Sequence, residues 1–186
     1  MQAHHLTVKP NERLRARRTP EVSKPRPTRP NPWWGIDMTK VMTSSGWVYI
    51  VMVLDWHTKR IVGCHAGLRA TARDWLHALD GAVKTQFPQG TRGRGLHLMS
   101  DNGSQPTSAA FIKACGLLGI TQAFTSYNNP KGNADTERLM RTLKEELIHI
   151  RQWRGEGDLA LALKAWVRFY NEEYPHSALG YQSPAK

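Results

Sequence analysis

Hydrophobic and polar positions change their period along the chain, and the changes mark its elements. Residues 33–42, WWGIDMTKVM, 46–55, GWVYIVMVLD, and 60–67, RIVGCHAG, are apolar runs separated by Ser44-Ser45-Gly46 and by Asp55-Trp56-His57-Thr58-Lys59. Such runs between short turns predict three strands joined as antiparallel hairpins. The period then lengthens. Trp75, Leu76, Leu79 and Val83 recur at helical spacing behind Thr71, which predicts a helix capped by that threonine. After the glycine-rich GTRGRG a short apolar strand, LHLMS, leads to Asp101; a second helix, SAAFIKACGLLG, exits at Gly116 and Gly119; ITQAFT is a further short strand. SYNNPKGN reads as a loop. Asn133 is placed to cap the helix ADTERLMRTLKEELIHI, whose Leu139, Leu143 and Leu147 form one apolar stripe, and DLALALKAWVRFYNEEY makes a last helix that stops at Pro175. The order βββαβαβαα predicts an α/β fold, a mixed sheet with helices packed on its faces.

The chain before this pattern is different. Residues 1–32 have no helical or strand period and carry five prolines between Pro20 and Pro32, so they are expected to form a flexible basic arm ahead of one folded core, residues 33–186. The whole chain of 186 residues carries 26 Lys and Arg against 15 Asp and Glu, a net charge of +11, with the excess shared between arm and core. A polyanion such as nucleic acid is the partner this charge favours over an anionic membrane surface, because no basic amphipathic helix with a bulky apolar face accompanies the arm. No apolar run approaches the roughly 20 residues of a membrane helix, and no apolar segment follows the basic N-terminus as in a secretory signal. A cytoplasmic setting is expected. Cys64 and Cys115 form no CxxC pair and have no histidine at ligand spacing, so they are expected to be buried free thiols and not zinc ligands. GTRGRG precedes a strand and lacks a closing Gly-Lys-Ser/Thr, which makes it a surface loop and not a phosphate cradle. Most of the seven tryptophans fall in apolar periodic segments, leaving Trp33 and Trp34, beside the arm, as the candidates for base stacking.

Three acids stand where catalytic groups would be useful. Strand alternation puts Asp37 on one face with Trp33, Gly35 and Thr39, opposite Ile36 and Met38. A mid-strand carboxylate needs compensation, by a salt bridge or a metal, unless the strand is an edge that faces water. Asp101 ends a strand, where ligands collect in α/β sheets, although Asp-Asn-Gly is also an ordinary turn. Glu137 lies one turn into a helix, a position that also suits a macrodipole partner, a role that Asp135 fills better. The 35 residues between Asp101 and Glu137 hold a helix, a strand and a loop, enough to return Glu137 to the strand end that carries Asp101. Converging carboxylates suit two Mg²⁺ or Mn²⁺ ions with phosphate oxygens completing the shells. Arg141 and Lys144 share the helical face of Glu137, with Arg138 beside them; together with Lys131 and Asn133 they are the candidate DNA contacts, though Glu137–Arg141 and Arg141–Glu145 pairing alone would explain the helix.

Five segments in order, WGIDMT, LDWHTKRIVG, SDNGSQPTS, NNPKGNADTERLMRTLKEEL and YNEEYPHSALGYQSP, resemble the catalytic core of insertion-sequence transposases of the retroviral-integrase superfamily. The resemblance runs from about Trp34 to the end. It implies a ribonuclease H-like five-stranded mixed sheet, three antiparallel strands and two parallel ones, with helices on both faces. It further implies that Asp37, Asp101 and Glu137 are a DDE triad holding two Mg²⁺ ions, that 3′-end cleavage and strand transfer follow during transposition and integration, and that the protein works as a homo-multimer on paired DNA ends in the bacterial nucleoid. Family members usually carry a helical end-binding region before the core, which the short basic arm cannot form. Their Asp-Asn-Ala and Glu-Ser pattern is here Gly132-Asn133-Ala134-Asp135-Thr136-Glu137-Arg138. A ribonuclease H-like nuclease and a truncated, non-catalytic DNA-binding remnant are the alternatives.

Overall fold

Alternation in the first strand decides the architecture. In the computed structural model, which describes residues 25–125 and 130–186, β1 (Trp33–Thr43) is the middle strand of a five-stranded sheet ordered β3-β2-β1-β4-β5. β2 (Gly46–Asp55) and β3 (Ile61–Gly67) continue from it as antiparallel hairpins, while β4 (His97–Ser100) and β5 (Thr121–Phe124) run parallel to it on the other side. The expectation of three antiparallel and two parallel strands holds.

Even-numbered residues of β1, Trp34, Ile36 and Met38, pack with Val51, Val53 and Leu98 against α1 (Ala72–Gln86) and α2 (Ala109–Leu118). Odd-numbered positions face α3 (Ala134–Glu146) and α4 (Glu156–Glu172), whose Leu139, Leu143, Leu159 and Leu163 close a second core over Ile50, Met52 and Leu54. Both faces of the sheet are therefore dry, and the near-continuous apolar run of β2 is what a strand covered on both sides requires. Asn171 of α4 binds Ile61 at the start of β3 with both amide atoms, each at 2.9 Å, so the last helix is fastened to the sheet edge by a buried two-point hydrogen bond. The β1–β2 turn is tied to the segment before α4 by Ser44 N–H to Trp153 O, 2.8 Å, and by Ser45 Oγ to Arg154 O, 2.8 Å.

The structure corrects several local expectations. Thr71 does cap α1, sharing Asp74 in a capping box, but Gly116 lies within α2 and only Gly119, at φ 69°, turns the chain out of it. Residues 130–133 form one 3₁₀ turn and not a loop, and Asn133 gives α3 no side-chain cap. Cys115 is buried, as expected, whereas Cys64 is exposed. Trp34 is fully buried and donates its indole N–H to Asn31 Oδ1 at 3.1 Å, so it is a core residue and not a base-stacking one. Trp33 is partly buried between Trp56 and His97, with centroids 5.6 and 4.5 Å away. The flexible character expected of the arm falls mostly on residues 1–24, outside the described residues; within 25–32, Pro27 O meets His57 Nδ1 and Asn31 N–H meets Asp55 Oδ2, both at 3.0 Å.

One glycine governs the approach of α3. A Cβ on Gly35 would overlap Thr136 Oγ1 and come within 2.6 Å of Trp56 Nε1 and 2.8 Å of Asn133 Oδ1. Gly35→Ala should therefore destabilise the fold by about 2 kcal/mol or more, through overpacking, and lower the melting temperature by about 4–8 °C. Gly81 in α1 has nothing within 4 Å of its would-be Cβ, so Gly81→Ala should raise stability by about 0.5–1 kcal/mol through helix propensity. Thermal unfolding of the two variants by circular dichroism checks both signs.

Candidate active site

The three acids come from three different elements. Asp37 is the middle of β1, paired with Met52 of β2, on the face covered by α3 and α4. Asp101 follows the last residue of β4, and Glu137 lies in the first turn of α3. β1 and β4 run in the same direction side by side, with Gly35 opposite Met99, so their carboxyl-terminal halves lead toward the same end of the sheet. α3 starts over β1 because Gly35 leaves room for Asn133 and Thr136 to touch the strand.

Asp37 is partly buried and its Oδ1 accepts the Met38 N–H at 2.8 Å. Its carboxyl is pushed up from 3.8 to about 6. Burial is the main cause, opposed by the Met38 hydrogen bond; the negative charges of Asp101 and Glu137 raise it further, and Lys144 lowers it. Asp37 thus feels both other acids and one of the predicted cations. Asp101 and Glu137 are exposed, and Asp101 Oδ1 accepts the Gly103 N–H at 3.0 Å, which keeps the turn Asp101-Asn102-Gly103 folded back on its own carboxylate. Asn102 Nδ2 donates to Thr125 O at 2.6 Å, tying that turn to the end of β5. Among the described residues no three His, Cys, Asp or Glu side chains stand close enough together to hold a metal ion.

The candidate DNA contacts divide. Arg141 and Lys144 are exposed, and Lys144 acts on Asp37. Arg138 is exposed as well, but it lines a pocket of about 270 Å³ on the neighbouring face of α3, with Thr142, Tyr174 and His176. Burial, Lys59 and Arg138 together hold the His176 imidazole below its usual value. Asn133 is buried, at 4% exposure, against Gly35, with its Oδ1 unpaired among the described residues, so its surroundings are protein rather than solvent. The Lys131 side chain lies outside the described residues. Asp135, expected to serve the helix dipole, is also paired with Lys59 at 2.9 Å.

Sequence reasoning missed the turn Asp55–Lys59 as a structural part of this region. Trp56 is 2% exposed and donates its indole N–H to Thr136 Oγ1 at 3.2 Å, while Lys59 reaches both Trp56 O, 2.7 Å, and Asp135. Nothing local announces the contacts to Thr136 and Asp135, which join residues 80 and 76 positions apart; the only hint was a tryptophan in a turn.

Known proteins agree with this architecture. A model of the integrase core domain matches residues 27–130 and a second integrase core domain model matches residues 118–184. The transposase for insertion sequence element IS629 of Shigella sonnei is 30% identical over 158 residues, 85% of this chain and 52% of its own. The transposase for insertion sequence element IS904 of Lactococcus lactis is 29% identical over 84% of this chain and 61% of its own. The chain thus spans between half and two thirds of the length of these relatives. Among solved structures, the HTLV-2 integrase catalytic core domain in complex with magnesium superposes with a TM-score of 0.64 at 15% identity, over 86% of this chain and 97% of that one. The catalytic core domain of BIV integrase gives 0.56 at 22% identity, over 83% and 91%. At those identities the likeness establishes the fold, a ribonuclease H-like integrase core. With a family model covering more than half of its residues, and with the sheet order that this core requires, the chain belongs to the integrase core domain family.

Proposed function

We propose that this chain is the catalytic core of a DNA transposase, a metal-dependent polynucleotidyl transferase that cleaves at the 3′ ends of an element and joins them to target DNA, with Asp37, Asp101 and Glu137 as its triad. The observation that carries the reading is the place of Asp37: a partly buried carboxylate in the central strand of an integrase core, its proton affinity raised chiefly by burial and further by the charges of Asp101 and Glu137, which lie within electrostatic reach. A carboxylate so placed is uncomfortable without a counter-charge.

The donor chemistry fits hard divalent cations, because all three groups offer carboxylate oxygens and no thiolate or imidazole competes for a softer metal. As they stand the three carboxylates are too far apart to share an ion; with the exposed side chains of Asp101 and Glu137 turned toward Asp37, they would hold two Mg²⁺ or Mn²⁺ ions. Once bound, such ions supply Lewis-acid charge at the reacting phosphate and make a water or a sugar hydroxyl a better nucleophile. The protein's own contributions are separate. Asp37, raised to about 6, is already largely ionised at neutrality and so presents a carboxylate that a positive charge would stabilise. Arg141 and Lys144, exposed along the face of Glu137, attract the phosphate backbone and bring it to the acids. The magnesium named for the HTLV-2 catalytic core is consistent with this metal. DNA is the proposed partner, and a homo-multimer the proposed working form.

Incubation with Mn²⁺, labelled DNA bearing a free 3′-hydroxyl and supercoiled plasmid tests the reaction. Joined products should form and should fall at least about 10³-fold in Glu137→Gln and Asp101→Asn, in keeping with removal of groups that act at the reacting centre. Nicking without joining, lost in the same variants, would instead assign a hydrolytic nuclease. Arg141→Ala combined with Lys144→Ala should weaken DNA binding uniformly across sequences and lower the slope of log K against log salt by about 2, measured by fluorescence anisotropy.

The raised Asp37 carboxyl also makes a stability prediction for the metal-free protein. Well below pH 3.8 the group is protonated in folded and unfolded chains alike. As the pH rises from 3.8 through about 6, the unfolded chain ionises first, so folding stability is lost, by about 3 kcal/mol at neutrality. Asp37→Asn should therefore melt several degrees higher than the parent at pH 7.5 in EDTA and at nearly the same temperature at pH 4, and Mg²⁺ should narrow the difference at pH 7.5 by stabilising only the parent.

A further inference from the structure

Glu137 is exposed, so its place is set by the backbone of the first turn of α3 and not by burial of its own side chain. What sets that turn is therefore part of the site. Thr136, the preceding residue, is fully buried at 0% exposure, and its hydroxyl lies over the bare Cα of Gly35, two residues before Asp37 in β1. The Trp56 indole N–H, itself buried, donates to that hydroxyl at 3.2 Å. Asp135, on the other side of Thr136, is joined to Lys59 at 2.9 Å, and Lys59 closes back on Trp56 O at 2.7 Å. The first turn of α3 is thus gripped from the β2–β3 turn at two consecutive residues.

The grip is itself braced. Asp55 accepts His57 N–H through Oδ1 at 2.9 Å and Asn31 N–H through Oδ2 at 3.0 Å, and Trp56 N–H donates to Trp33 O at 3.1 Å. Trp33 stacks on the Trp56 ring with planes 9° apart. A tryptophan in a turn, buried and bonded at both its backbone and its ring, has one orientation available to its N–H.

We infer that Trp56 and Thr136 are positioning residues of the transposase site: the indole-to-hydroxyl hydrogen bond over Gly35 holds the first turn of α3 so that Glu137 stands opposite Asp37. The inference rests on the proposed triad and adds to it the side chains that place its third member. Thr136 is suited to this task because it is small enough to be fully buried over Gly35 while its hydroxyl accepts the buried N–H. Serine keeps the acceptor, and valine keeps the shape without it.

The test uses the full chain in four variants, Thr136→Val, Thr136→Ser, Trp56→Phe and Glu137→Gln, with three readouts: strand-transfer kcat and KM for DNA, Mn²⁺ affinity by calorimetry without DNA, and thermal melting. Thr136→Val and Trp56→Phe should lose about 10–100-fold in kcat and in Mn²⁺ affinity, the usual effect of removing a group that orients a metal ligand, with KM for DNA within about twofold. Thr136→Ser should stay within about threefold of the parent. Wild-type Mn²⁺ affinity and kcat in folded Thr136→Val, beside an inactive Glu137→Gln, would overturn the positioning role while leaving the triad intact. A lowered melting temperature as the sole change would overturn it equally, as the mark of a purely structural contact. An active Glu137→Gln with unchanged Mn²⁺ affinity would overturn the triad reading and this inference with it. Should Thr136→Val not fold, Trp56→Phe set against Thr136→Ser carries the same comparison.

Discussion

The absence of a side chain at Gly35 is the constraint on which the rest of the site depends. Three polar atoms, the Thr136 hydroxyl, the Trp56 indole nitrogen and the Asn133 amide oxygen, occupy the volume that a Cβ would take. The first turn of α3 can therefore lie directly on β1 instead of one methyl layer above it. This contact sets side chains of the turn and the helix directly on the strand backbone, and no residue larger than glycine preserves it.

Close approach has an electrostatic consequence. It brings a helix that begins with Asp135 and Glu137 against a strand that carries Asp37, and the same end of the sheet receives Asp101 from β4. A protein selected for stability alone would not gather like charges where burial already penalises one of them. The fold carries this cost because both faces of the sheet are otherwise closed by apolar packing, with cores of Leu, Ile, Val and Trp on either side. The cations stand at different distances from the acids: Lys144 acts on Asp37, Lys59 is occupied with Asp135, and Arg138 turns toward His176 and Tyr174.

The chain ends extend the same scheme. Residues 27 and 31 of the arm are bonded to the β2–β3 turn, and the segment after α4 folds back so that Ala185 N–H reaches Asn171 O at 2.9 Å while His176 and Gln182 form a single antiparallel bridge. A pocket of about 630 Å³ lies between these two ends and the turn, lined by Arg26, His57, Lys59 and Lys186 among others. The turn that grips α3 is thus also the place where the arm and the C-terminal segment meet the core.

By itself the sequence determined the elements and their order. Period-two alternation in WWGIDMTKVM already separated the face of Asp37 from that of Ile36, and short turns required the hairpins, because these follow from covalent geometry and nearest neighbours in the chain. Asp37 was legible as a candidate because a carboxylate inside an apolar strand conflicts with its surroundings wherever the rest of the chain goes, whereas Asp101 and Glu137 were legible only by their places at a strand end and a helix start. Their convergence was offered by the 35-residue interval and implied by the resemblance, but what holds them was not legible, nor was the exposure of Cys64, the burial of Asn133 or the turning of Arg138 toward the C-terminal segment. Those depend on which elements become neighbours. Trp56 and Thr136 lie 80 positions apart in the chain, and their hydrogen bond exists only because α3 settles on Gly35. Such contacts belong to packing, which couples residues through space, whereas periodicity reports only on residues coupled along the chain.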